Sequence, residues 1–248
     1  MDIRLALMAG IDIPIPELKL ILHQPTIQEI AYMGEQNFFT AVHYLCLDKE
    51  VIVEDENLLR DLTNFQVLMK VIEQFQDSEK KNTIITLFSL IFPNYKTTIT
   101  PRSIILINLE SKETVLIDND NFQIFQNVLK KVLCINNIFQ GDNIVYNPGN
   151  AEAKRIADKL MRGRRKAAEL KGKNNESALV RYLSILTVGI SSMSLQNCLE
   201  LTLYQLFDLV ERYTLFTDWE IDLRIRLAGG TPKSEAKNWM KNIHEKEE

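Results

Sequence analysis

Glycine is scarce in this chain of 248 residues: there are nine, and none is arranged to cradle a phosphate. Neither GxxxxGK nor GxGxxG occurs, so the loops that bring backbone amides against a nucleotide's phosphates are missing. GxSxG is absent too, which removes the nucleophile elbow of an α/β-hydrolase. Histidine is limited to His23, His43 and His244, with no HExxH. The three cysteines, Cys46, Cys134 and Cys198, are far apart and odd in number. That argues against a disulfide framework and fits a reducing cytoplasm. No stretch approaches the roughly 18 apolar residues of a membrane span. "MDIRLALMAGIDIPIPEL" has an early acid and no long apolar core, so no signal peptide is expected. A net charge of -4 and a pI near 5.6 give no overall pull toward nucleic acid or an anionic membrane.

The remaining polar constellations are thin. His43 and Cys46 stand three apart on a predicted helix and share a face, but no second pair at ligand spacing accompanies them. They read as a core-flanking histidine and a buried free thiol. Glu54 and Asp55 sit in a charged stretch and read as solvation. No catalytic residue, cofactor or metal is therefore expected, and the chain is not expected to be an enzyme.

What is present is helical periodicity. Fold class is expected to be α+β and predominantly helical, with a mixed domain over 1–147 and an all-helical C-terminal domain over 148–248. "IDIPIPELKLILHQP" reads as short extended pieces broken by prolines. Thr26 and Glu29 have capping-box spacing and open a helix whose apolar face is Ile27, Ile30, Ala31, Phe38, Ala41, Val42 and Leu45. A second helix is expected across Leu58, Leu59, Leu62, Phe65, Leu68, Met69, Ile72 and Phe75, and a third over 78–92, stopping before Pro93. "SIILINL" and "ETVLI" flank "ESK" as a hairpin, though without the usual turn glycine. "NDNFQIFQNVLKKVL" returns to helical spacing, with Asn119 or Asp120 as cap.

"FQGDNIVYNPGNA" has loop chemistry and marks the domain boundary. Beyond it, Ala151 to Leu170 reads as a basic helix. Glu152 to Lys173 holds nine basic and three acidic residues, a local net of about +6, which leaves the rest of the chain near -10. Arg162, Arg164 and Arg165 are its candidate binding residues. This stripe has the charge to meet phosphates but lacks the interleaved aromatics of a single-strand binder, so it reads as a solvated helix face or a contact to an acidic partner. Ser177 and Ser194 read as caps. Thr202 and Gln205 repeat the capping-box spacing and open a long helix closed by Gly229 and Gly230; a last short helix follows. Three acids precede arginines by four residues along the long helix, the stabilising order on an exposed face: Asp208–Arg212, Glu220–Arg224 and Asp222–Arg226. Leu206, Val210, Tyr213 and Phe216 lie along one face, with Leu206, Val210 and Tyr213 as its expected buried stripe. Tyr204, Phe207 and Trp219 add aromatics beyond a single stripe and are candidate protein-binding residues.

The block "ALVRYLSILTVGISSMSLQNCLELTLYQLFDLVERYTLFTDWEIDLRIRLAGG", with "KNWMKNI" after it, resembles the C-terminal part of tail assembly chaperones of phages and prophages of Gram-positive bacteria. "IPIPELKLILHQPTIQEIAYMGEQNFF" is similar to the start of the same proteins, while 46–150 adds nothing. The resemblance implies a non-enzymatic protein of the host cytoplasm, absent from the finished virion. It would bind the long tape-measure protein and hold it soluble until tail tube protein assembles around it, with self-association left open. The alternatives are a tail or connector protein retained in the virion, or a nucleic-acid binder using 152–173.

Overall fold

The computed structural model describes residues 2–46, 48–49, 62–73, 78–134, 177–232 and 239–240. Helix α1 (Ile3–Met8) is capped by the Asp2 carboxylate, which accepts the Arg4 N–H at 2.9 Å. The extended pieces between prolines then form an antiparallel pair, β1 (Ile13–Ile15) and β2 (Leu20–Leu22), with Ile13 opposite Leu22 and Ile15 opposite Leu20. Alternation turns these four side chains inward and leaves Pro14 and Ile21 outside.

Thr26 caps as expected, and the box is closed in both directions: Thr26 Oγ1 accepts the Glu29 N–H, and the Glu29 carboxylate accepts the Thr26 N–H. The single helix read through Leu45 is, however, two: α2 (Ile27–Met33) and α3 (Glu35–Cys46). Gly34 between them has φ 89° and ψ 124°, a conformation closed to residues with a Cβ except under strain. The expected face is buried on either side of this break, apart from Ala31, which is exposed.

Helix α4 (Asn64–Glu73) starts later than periodicity implies, at a capping pair of Thr63 and Gln66. Leu62 precedes the helix, and Leu58, Leu59 and Phe75 lie outside the described residues. Helix α5 (Ser78–Ile91) stops before Pro93 as read.

The expected hairpin is β4 (Ile104–Asn108) with β5 (Thr114–Ile117), and a third strand, β3 (Tyr95–Ile99), extends it to an antiparallel order β3-β4-β5. The turn manages without glycine because Lys112 adopts φ 61° and the Asn108 side chain accepts the Glu110 and Ser111 N–H groups. Helix α6 (Phe122–Val132) is not capped by Asn119 or Asp120. Its N-cap is Asn121, whose side chain is instead engaged with the Asp118 N–H and the Leu116 carbonyl.

Aromatic packing joins α5 to α6: Phe88 stacks on Phe125 at 5.6 Å between centroids, and Phe92 stands 6.2 Å from Phe125. Gln126, the next residue, is fully buried and satisfied. Its amide donates to the Leu45 carbonyl and its Oε1 accepts from Asn64, so α3, α4 and α6 are tied by one polar node.

The C-terminal part comprises α7 (Ala178–Gly189), α8 (Leu195–Glu200) and α9 (Leu203–Leu227). Ser177, Ser194 and Thr202 cap them, each accepting the N–H three residues on. The core runs without interruption from the N-terminal elements into Leu179, Leu183, Leu186, Cys198, Leu203 and Leu206. The α+β, mainly helical architecture is the one expected. The boundary at 147/148, the basic helix with Arg162, Arg164 and Arg165, and most of the last helix lie outside the described residues.

Helices α2 and α9 begin side by side. Thr26 bridges Thr202, and the Ile27 N–H donates to the Leu201 carbonyl at 2.9 Å. Beside this junction His23 lies between Asp12 at 2.9 Å and Glu29 at 3.2 Å. Partial burial works against the charge on Glu29, but hydrogen bonds from Thr26 and the pairing with His23 outweigh it and hold its carboxyl below the usual range. A depressed folded-state pKa stabilises above the ordinary glutamate value and ceases to do so as pH falls through the depressed one. Urea midpoints of the native chain should therefore drop across that acidic window, and Glu29→Gln should flatten that part of the profile while lowering the midpoint at neutral pH.

Candidate protein-binding face

Helix α9 has two unlike halves. Its first turns are embedded: Leu203 and Leu206 are buried, and Gln205 donates from Nε2 to the Met8 carbonyl at 2.8 Å, fixing α9 to α1. Tyr204, a candidate binding residue on sequence, is only 6% exposed and packs in the core. Asp208 is also buried, so in the Asp208–Arg212 pair, read as lying on an exposed face, the acid faces the core and Arg212, 3.3 Å away, is half-buried. Val210 and Tyr213 are half-buried against the core.

From Phe216 onward the helix exposes apolar residues. Phe216, Trp219, Leu223 and Leu227 recur at intervals of three and four, which sets them along one side of the helix. Trp219 is 37% exposed and Leu227 78%. Phe216 continues the face of Leu206, Val210 and Tyr213 but lies beyond the point where α9 leaves the core. Ile221 and Ile225 add exposed aliphatics on another side. Trp239 packs edge-on to Phe216 at 5.4 Å and near Trp219 at 6.4 Å, while its carbonyl accepts from Arg212.

This half keeps its helical form with little core support because its charges are well ordered. Glu220 pairs with Arg224 at 2.7 Å and Asp222 with Arg226 at 3.0 Å. Both have the acid-first orientation that stabilises a helix, and both arginines lie in the last turn, where they oppose the helix dipole.

A groove of about 350 Å³ opens between α3, α7 and the middle of α9. Phe39, Ala178, Leu179, Tyr182, Phe207 and Val210 give it an apolar lining, and Glu35 and Glu211 supply its carboxylates. Phe207, a candidate on sequence, is half-buried here and meets Tyr182 edge-to-face at 5.6 Å. Glu35 is held by the Leu179 N–H at 3.3 Å, and the Arg181 guanidinium lies over the Tyr182 ring at 5.5 Å from its centre. No sequence motif announces this site, because Glu35 and Phe39 lie far along the chain from Phe207 and Glu211.

His43 and Cys46 do not converge: His43 is exposed and Cys46 is buried. Burial pushes the Cys46 and Cys134 thiols up to about 12, which leaves them protonated and unreactive at neutral pH. Among the described residues no group of three or more histidine, cysteine or acidic side chains could hold a metal ion, and no helix is long and apolar enough to cross a membrane.

Residues 171–244 match the family model described as the YomV second domain. YomV is a family of Bacillus phage and prophage proteins, so this similarity points to a phage origin for the chain. The matched segment contains α7, α8 and α9, and with them the exposed half of α9 and one wall of the groove. No curated protein and no solved structure matches the chain.

Proposed function

We propose that this chain is a phage tail assembly chaperone. It is a binding protein without catalytic activity or cofactor that holds the tape-measure protein soluble in the host cytoplasm until tail tube protein assembles around it. The observation that carries this role is the exposed stripe Phe216, Trp219, Leu223 and Leu227 on a charge-stabilised helix, within the segment similar to a phage family. Apolar area of this kind contributes free energy only when a partner covers it. The tape-measure protein, a long helical chain prone to aggregation, is such a partner.

Co-expression with a tape-measure fragment tests the proposal. The fragment should be soluble and co-purify with the chain, and insoluble when expressed alone. Mass spectrometry of purified phage particles should find no copy of the chain. Stoichiometric amounts in the particle would identify a structural tail or connector component instead.

A further inference from the structure

We infer that the groove between α3, α7 and α9 seats an apolar side chain of a basic amphipathic helix, a lysine or arginine beside that side chain pairing with Glu211. This rests on the chaperone role proposed above and specifies which segments of the partner are recognised.

Three observations carry it. The groove is concave and apolar, with Tyr182 and Phe207 locked edge-to-face at 5.6 Å, so little ordering is needed on binding. Among the described residues its charged groups are Glu35 and Glu211, and no lysine or arginine lines it. Glu35 is already fixed by the Leu179 N–H, while Glu211 is exposed and faces an incoming chain. A helix laid in a groove places one or two apolar anchors inside and its flanking residues at the rim, and a rim carboxylate selects the sign of those flanks more than it adds affinity. Outside 152–173 the chain is near -10, which favours a basic partner over an acidic one.

The probe is a fluorescein-labelled helical peptide of leucine, alanine and lysine, compared with one in which glutamate replaces lysine, each titrated into the full-length chain by anisotropy. The lysine peptide should bind at least about tenfold more tightly than the glutamate peptide. Glu211→Lys, a change at an exposed position, should abolish or reverse that preference without shifting the thermal melt. Equal binding of the two peptides, or an unchanged preference in Glu211→Lys, would overturn the inference.

The chain's own basic stretch is the competing occupant. Reversing Arg162, Arg164 and Arg165 to Glu should leave lysine-peptide affinity unchanged. A gain of about tenfold or more would mean that the groove is filled from within the chain, against the inference. Solubility of a co-expressed tape-measure fragment separates this site from the chaperone role. A soluble fragment with no peptide preference retains the role and removes the groove. A clear, Glu211-dependent preference with an insoluble fragment retains the groove and removes the role.

Discussion

Leu206→Ala is expected to lower the free energy of unfolding by about 2–5 kcal/mol. Leu206 is fully buried one turn into α9, where α1, α2 and α9 meet. Truncation removes apolar contacts and leaves a gap that these elements cannot close, because hydrogen bonds fix them on both sides: Ile27 to Leu201 and Gln205 to Met8. Leu223→Ala is the matched control on the same helix. Its side chain is already partly in water, so its cost should stay within about 0.5 kcal/mol. Urea denaturation of the two variants measures the difference. Equal costs would mean that the distal half of α9 is packed as firmly as the proximal half.

Gly189→Ala should destabilise by about 1–3 kcal/mol, against the usual preference of helices for alanine. A Cβ at Gly189 would stand 2.2 Å from Cζ and 2.3 Å from the hydroxyl of Tyr213. The two helices approach this closely because position 189 has no side chain, and the Tyr213 ring fills the space. The substitution must displace the ring and loosen α7 from α9. In a Tyr213→Ala background that obstacle is gone, and Gly189→Ala should become neutral or mildly stabilising. A double-mutant cycle by chemical denaturation reads the coupling between the two positions. Additive effects would show that the ring does not limit the approach.

Local chemistry was legible in the sequence wherever it was self-contained. The boxes at Thr26 and Thr202, the serine caps and the β4–β5 hairpin are where spacing placed them, and all three acid–arginine pairs form, although Asp208 is buried instead of exposed. Gly34 was passed over because the apolar face continues on both sides of it, so periodicity alone cannot register a change of direction. Strand β3 was missed because "YKTTI" is short and mostly polar, and its burial at Thr97 and Ile99 comes from the neighbouring strand and helix. Burial along α9 was only half legible. Periodicity separated its faces correctly for Leu206, yet it could not tell where along the helix the core ends. Tyr204 therefore reads as a binding residue, yet it is buried, and the face that continues through Phe216 comes out into solvent there. The groove was invisible for a related reason: its walls come from α3 and from α7 and α9, and nothing in either segment marks the other.

The central claim is that the distal face of α9 serves a partner and not the fold. Its most direct test is a paired measurement on a Phe216→Gln/Trp219→Gln variant: the thermal melt of the purified chain, and the soluble fraction of a co-expressed tape-measure fragment. The variant should melt close to the native chain and fail to keep the fragment soluble, because it loses the apolar area that Phe216 and Trp219 leave exposed beside Trp239 and that a partner covers. A variant that melts as poorly as Leu206→Ala, or that holds the fragment as well as the native chain does, would contradict the claim.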